Sequence, residues 1–389
     1  MPDSSRRNFL LAGLSVPVAA SAARPSADDR QHAVPLRAPV VSPGLRYRTL
    51  GKTGLKVTSV GFGCMVTSDA SVIERAADIG ITYFDTARVY QAGNNERMVG
   101  AALKGKRQNI TLSSKSGAKT KETALADLDT SLRELGTDHL DIWYLHAKTK
   151  PEDVTDELID AQQTAKKAGK IRFAGCSTHS GQTELIPALT ANPHIDVILT
   201  AYNFSMGQTL DPVIAAAHAA GKGVVAMKVM AGGFRVAKPG NKLYDTFKKD
   251  GALLAALRWV LKSPDVDTTI PSMTDMDQLE DNIKAMTGGF SRSDEALLAR
   301  QLEYIAPLYC RMCGKCDGTC AQGLPVAEIL RYLSYADGYG QFSLGREQFL
   351  QLPAEVAQVR CGMCPTCTVD CPHGVRIVER LSRAQEIFA

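Results

Sequence analysis

The 389-residue sequence has no block of lysine and arginine: 45 basic residues against 41 acidic ones leave a formal charge of +4. So small a balance gives no electrostatic ground for a nucleic-acid partner. The apolar stretch Ala12–Ala23 falls short of the roughly 20 residues that a membrane-spanning helix needs. No Gly-x-Gly-x-x-Gly follows the first strand-like run, which weighs against a Rossmann-type nucleotide domain. Cysteine is scarce through residue 309, where only Cys64 and Cys176 occur, and both read as small buried hydrophobes. The other eight cysteines fall in the last 80 residues. With 44% hydrophobic and 22% charged residues, the composition is that of an ordinary globular enzyme. The length suits one large domain and a smaller one.

The N-terminus reads Ser5-Arg6-Arg7-Asn8-Phe9-Leu10-Leu11, then the short apolar stretch, then Ala20-Ser21-Ala22. Paired arginines, a brief apolar region and a small-x-small site make residues 1–22 a signal peptide of the twin-arginine (Tat) type. That expectation places the mature protein in the periplasm or otherwise outside the cytoplasm, with the Tat translocase as a transient partner. The plainer alternative is a frayed basic terminus. Residues 23–45, with four prolines and little periodicity, read as a linker.

From Tyr47 onward, strand-like runs alternate with helix-like segments. A hairpin, Tyr47–Leu50 with Leu55–Thr58, precedes eight strand candidates. These are Val60–Cys64, Ile81–Phe84, Ile110–Lys115, Leu140–Leu145, Ile171–Cys176, Val197–Ala201, Gly223–Met227 and Thr268–Ile270. The clearest helix carries Leu125, Leu128, Leu132 and Leu135 and stops at Gly136. Eight β–α units favour a closed (β/α)8 TIM barrel over 46–290.

Chemistry in such barrels sits at the C-terminal ends of the strands. There the sequence puts Asp85 and Tyr90 after the second strand, Lys115 at the end of the third and His146 at the end of the fourth. Taken singly, Tyr90 is a loop aromatic, His146 a satisfied strand-end histidine and Lys115 a solvated tip. Together they make a proton-transfer site. An ammonium beside a phenol is expected to lower its pKa from about 10, and a carboxylate holds that ammonium in place.

The segments Tyr83–Tyr90, Asn94–Gly100, Leu140–His146 and Ile171–Ser177 closely resemble the aldo-keto reductase superfamily. The resemblance runs from about Tyr47 to Met286. It implies a nicotinamide-dependent oxidoreductase acting on a small-molecule carbonyl or alcohol. Tyr90 would be the general acid/base, Lys115 and Asp85 would tune it, and His146 would position the substrate. For the NAD(P)(H) cofactor it implies Gly63, Ser177, Thr178, Met227, Ser272, Gln278 and Asn282. Three departures stand out. Thr178 replaces the usual asparagine, Met227 replaces the aromatic that stacks on nicotinamide, and Ser272 and Gln278 replace the cations that grip a 2′-phosphate. NAD and NADP both stay open. Loops such as Gly232 to Asp250 carry no portable code for the substrate.

The cysteine-rich region is an internal repeat. Cys310-x2-Cys313-x2-Cys316-x3-Cys320 and Cys361-x2-Cys364-x2-Cys367-x3-Cys371 share one spacing, and Gly323/Gly374, Glu328/Glu379 and Leu330/Leu381 recur in step. This is the run of bacterial ferredoxins, in which three thiolates bind one [4Fe–4S] cluster and the fourth ligates the other. Only the second run has the following proline, Pro372; Ala321 takes its place in the first. Zinc and disulfides are the alternatives. Pro325–Tyr335 between the runs has a helical pattern, so residues 291–389 read as a helical linker and a small α-helical ferredoxin-like domain. Barrels with such tails resemble an iron–sulfur branch of the same superfamily.

The leading expectation is therefore an exported redox enzyme with two clusters, and a redox partner is possible for the clusters. Nicotinamide gives a hydride whereas a cluster takes one electron, and no flavin motif bridges the two. The competing expectation is an iron–sulfur electron-transfer or structural module on an inactive barrel.

Overall fold

The computed structural model describes residues 44–232 and 251–389. The signal-like segment 1–22, nearly all of the 23–45 linker and residues 233–250 of the loop noted above lie outside the described residues.

Chain order gives an antiparallel hairpin, β1 (Tyr47–Thr49) and β2 (Lys56–Thr58), and then eight strands of one parallel sheet. These are β3 (Phe62–Gly63), β4 (Tyr83–Asp85), β5 (Thr111–Ser116), β6 (Leu140–Lys148), β7 (Ile171–Thr178), β8 (Val197–Ala201), β9 (Gly223–Met227) and β10 (Thr268–Thr269). Each pairs with its sequence neighbour. Parallel bridges from Val60 to Thr269 and from Gly63 to Ser272 join the first strand to the last, so the sheet closes. The expected runs Val60–Cys64 and Thr268–Ile270 shorten to two residues each, because at the seam the contact continues as isolated bridges and loop hydrogen bonds rather than a full ladder. Alternate side chains fill the barrel and the helix layer, which leaves Phe62, Phe84, Trp143 and Tyr144 buried.

The helix between β5 and β6 shows how local sequence sets these elements. It runs Lys121–Leu135, and the Thr120 side chain accepts from the Thr123 amide at its start. It buries Leu128, Leu132 and Leu135 and ends at Gly136, where φ is +65°. Only a residue without Cβ adopts that conformation at no cost, so the helix stops there.

Helix Arg292–Ile305 lays Leu297 and Leu298 against Ala252, Ala255 and Ala256 of the Ala252–Leu261 helix, so the barrel's outer layer continues past residue 290. A separate small core follows. Helix Val326–Asp337 buries Ile329, Leu330 and Leu333 against Phe349 and against Leu381, Ala384 and Phe388 of helix Ile377–Phe388. The end of the first of these helices meets the barrel: a Cβ at Gly338 would lie 1.7 Å from the Gly232 carbonyl oxygen, so only glycine permits the approach. Among the described residues, no helix is long and apolar enough to cross a membrane.

Candidate active site

β4 and β5 end side by side, so Asp85 and Lys115 meet. Lys115 Nζ donates to Asp85 Oδ2 at 2.5 Å and to the Thr86 carbonyl at 2.6 Å, while Ser113 Oγ donates to Asp85 Oδ1 at 2.7 Å. Both charges are almost fully buried. Burial pushes the Asp85 carboxyl up and the Lys115 ammonium down, and their mutual attraction opposes both shifts.

Tyr90 lies beside this pair. Lys115 Nζ stands 5.0 Å from the centre of its ring, and the His146 ring meets it edge-on at 5.8 Å. All four residues of the expected tetrad thus come together at the strand ends. One expectation is corrected. Burial, followed by the Asp85 charge, raises the Tyr90 pKa well above its ordinary value. The ammonium lies within 5.0 Å of the ring centre and gives hydrogen bonds to Asp85 and the Thr86 carbonyl, but burial and the Asp85 charge outweigh it at the phenol. Burial likewise holds His146 well below its usual pKa, helped by Lys115 and Arg331, and so keeps it neutral.

Backbone geometry marks the same rim. Gln91 and Ala92 after Tyr90, Ala147 after His146, and Lys228 after Met227 all have φ between 51° and 56°. Left-handed backbone in residues other than glycine is sparsely populated and gathers at functional sites.

A cavity of about 480 Å³ opens here. Asp85, Tyr90, Ser272, Gln278 and Asn282 all line it, as do Lys228 and His179. Gly63 and Met227 also face it. At Gly63 a Cβ would sit 2.5 Å from the Ile270 carbonyl oxygen, so bulk is excluded from that wall. Two expected cofactor residues are not on the cavity wall. Ser177 Oγ accepts from the Ala147 amide at 2.9 Å and donates to the Leu145 carbonyl, while Thr178 Oγ1 donates to the Ser180 carbonyl. Both hydroxyls are committed to backbone. Gln278 is engaged too: Asp275 caps helix Met276–Thr287 by accepting from the Gln278 amide, and the Gln278 side chain donates to Thr274 and Asp275. Asp275, Asp277 and Asp281 line the cavity around it.

The tail supplies groups that the sequence reading did not assign to this site. Arg331 and Tyr335, on helix Val326–Asp337, act electrostatically on Tyr90. Arg331 Nη1 donates to Tyr335 Oη at 3.2 Å, and Lys228 Nζ lies 4.7 Å from the Tyr335 ring centre and 5.2 Å from that of Tyr339. Burial alone would raise the Tyr335 pKa, yet Lys228 and Arg331 bring it down to about 8. The only sequence signal was the i, i+4 spacing of Arg331 and Tyr335, which puts them on one helix face.

None of the eight tail cysteines is in a disulfide, nor are Cys64 and Cys176, whose acidity burial suppresses. Burial pushes the Cys310 thiol up to about 12, and Cys316, Cys313 and Cys371 add to the shift. Cys361 responds in the same way to burial, then to Cys367 and Cys320. Each fourth cysteine therefore lies near the other run, and Thr368 Oγ1 ties the runs by donating to the Thr319 carbonyl and accepting from the Ala321 amide. Among the described residues, no group of three or more His, Cys, Asp or Glu is set to hold a single metal ion.

Eight parallel strands with a lysine–carboxylate pair, a tyrosine and a histidine at their C-terminal ends define a barrel oxidoreductase. Residues 66–300 match the aldo/keto reductase family, and the chain belongs to it. Among its relatives are an uncharacterized oxidoreductase of Bacillus subtilis, 27% identical over 62% of this chain and 91% of that one, and L-galactose dehydrogenase of Arabidopsis thaliana, 27% identical over 62% and 88%. A similar solved structure is the aldo-keto reductase AKR11C1 from Bacillus halodurans in its holo form, with TM-score 0.57, 26% identity, and coverage of 66% of this chain and 96% of that one. The family match ends at residue 300, before the first cysteine run.

Proposed function

We propose that this chain is an exported oxidoreductase that moves a hydride between a nicotinamide nucleotide and a small carbonyl or alcohol, with two iron–sulfur clusters in its tail. The assembly of Asp85, Lys115, Tyr90 and His146, with Asp85 and Tyr90 on the wall of the 480 Å³ cavity, carries this reading. The residues present suit a dinucleotide. The cavity is of ligand size, Gly63 lines it where a Cβ would not fit, and Met227, Ser272, Gln278 and Asn282 line it with Tyr90. When bound, the nicotinamide supplies or accepts the hydride. Tyr90 then holds the proton that the substrate oxygen needs, and its raised pKa keeps it a phenol, the donor form, in the free protein. Neutral His146 is free to orient that oxygen, and the Lys115–Asp85 pair fixes a positive charge at the ring. The pair itself is shielded from solvent.

The tail thiols suit clusters by number and grouping. Cys310, Cys313, Cys316 and Cys371 would hold one, and Cys361, Cys364, Cys367 and Cys320 the other. The electrostatic grouping of Cys310 with Cys371 and of Cys361 with Cys320 supports this crossed arrangement. Export rests on Arg6, Arg7 and the apolar stretch after them, with the Tat translocase as carrier. A redox partner would be needed only if the clusters carry electrons.

The test is carbonyl reduction by the full-length protein and by Tyr90→Phe. A fall of about 10²- to 10⁴-fold is expected. Near-normal turnover by the variant on every substrate would return the barrel to a scaffold for the cluster domain.

A further inference from the structure

Two cations from different parts of the chain converge on one phenol above the tetrad. Lys228 comes from the end of β9 and Arg331 from the tail helix, and both engage Tyr335. Among the described residues neither is paired with a buried carboxylate. Among the described residues Lys228 has no ion pair, and Arg331 reaches only Glu328, at 3.6 Å, whose side chain is half exposed. Asp85 is already taken by Lys115. Buried cations without an opposite charge are costly, and a site that keeps two of them is built to receive a negative group.

A second cavity of about 390 Å³ lies against the first cysteine run, lined by Arg331, Met312 and Cys320, with the carboxylates Glu328 and Asp317 also on its wall. His179 lines both cavities, and its Nδ1 is buried with no hydrogen-bond partner. Burial, then Lys228 and Arg331, keeps this imidazole neutral, so it can donate one N–H without adding charge. A buried ring nitrogen with no partner among the described residues, beside two cations, marks where a polar ligand atom belongs.

We propose that the substrate carries a carboxylate, bound between Lys228 and Arg331 with His179 completing the site. This rests on the carbonyl/alcohol reading above and deepens it, for the carboxylate would lie across from Tyr90 and His146, on which Arg331 already acts. The substrate class is then a small oxo acid or its hydroxy acid. The two cations line different cavities, Lys228 the one that also holds Ser272 and Asn282 and Arg331 the one against the tail, and His179 lines both. The nucleotide pyrophosphate is therefore the competing anion for Lys228, and the NAD arm of the test below separates it from a substrate carboxylate.

Binding and turnover test this separately, in the full-length protein prepared without oxygen. Benzoate and its neutral analogue benzamide are titrated by calorimetry with NAD present. Benzoate should bind the wild type about tenfold or more tightly than benzamide, as a charge-assisted contact implies. Arg331→Gln and Lys228→Met should each cut that margin, and Arg331→Lys should keep part of it. In turnover, 4-formylbenzoate should be preferred over its methyl ester through KM, and Arg331→Gln should collapse the ratio. Equal binding of benzoate and benzamide by the wild type overturns the carboxylate site without calling on any variant. Reduction of acid and ester alike also overturns it, while the carbonyl reading stands. Selective benzoate binding with no reduction of either aldehyde upholds the site and sinks the carbonyl reading. If Arg331→Gln weakens NAD and spares benzoate, the cations serve the nucleotide and the proposal falls.

Discussion

Lys115 holds its ammonium 5.0 Å from the centre of the Tyr90 ring while bonded to Asp85 at 2.5 Å, so one buried ion pair sits against the phenol. The pair therefore acts by fixing the local field and the position of the phenol. Lys115→Met would leave Asp85 buried without its counter-charge, so the cleaner variant is Lys115→Met with Asp85→Asn. That double variant should lose carbonyl reduction by about 10²-fold or more, and adding Tyr90→Phe should cost little further, since residues acting as a unit are not additive. Steady-state kinetics with circular dichroism as a folding control decides it. Full additivity would mean the two groups act in separate steps.

Tyr335 gives a pH dependence with a definite sign. Lys228, Arg331, Tyr90, Tyr332 and Tyr339 all interact with it, and the two cations hold its pKa near 8, below the ordinary 10. An acid whose folded pKa is depressed stabilises the fold fully above its unfolded value and loses that contribution as pH falls through the folded one. Stability from this group should thus grow between pH 8 and 10. Over the same range its phenolate should compete with an external carboxylate. Benzoate affinity is expected to drop as pH rises through 8, and Tyr335→Phe should flatten the drop. An unchanged profile in that variant would assign the effect to Lys228 losing its proton.

Nucleotide preference follows from the cavity around Gln278. Asp275, Asp277 and Asp281 line it there, and the Gln278 side chain is occupied by Thr274 and Asp275. A 2′-phosphate would meet carboxylates, so NAD should bind at least as well as NADP. Titrating both nucleotides at two salt concentrations checks this, because a phosphate held by cations weakens as salt rises. A strong, salt-sensitive preference for NADP would point to a cation outside the described residues.

Anaerobically purified protein should be brown, with about eight irons and matching acid-labile sulfide. Cys371→Ser should damage the cluster built on Cys310, Cys313 and Cys316, and Cys320→Ser the one built on Cys361, Cys364 and Cys367. Electron paramagnetic resonance of the reduced variants separates the two. Stoichiometric zinc without sulfide would end the cluster assignment.

Replacing Arg6 and Arg7 together by lysine should leave a cofactor-loaded precursor in the cytoplasm, read by fractionation and immunoblot. Periplasmic appearance of the wild type in cells without the Tat translocase would show that another route carries it.

Much of this was present in the chain order alone. Alternating strand and helix patterns specify a barrel because each apolar face must be buried against its sequence neighbours, and Asp85, Tyr90, Lys115 and His146 then fall at the strand ends by register. The helix ending at Gly136 and the repeated cysteine spacing were equally local. Three things were decided only by the fold. The Tyr90 pKa rises where the sequence argument had it fall, since desolvation depends on how deeply a group is covered and on where an ammonium's bonds point. Ser177 and Thr178 turn their hydroxyls to the backbone, because a strand's register does not reveal which hydrogen bonds its ends still lack. And Lys228, Arg331, Tyr335 and His179 meet because the tail helix docks on the barrel mouth. Helical periodicity identifies the face that is buried; which surface buries it is a property of packing between segments far apart in sequence, and that belongs to the tertiary structure.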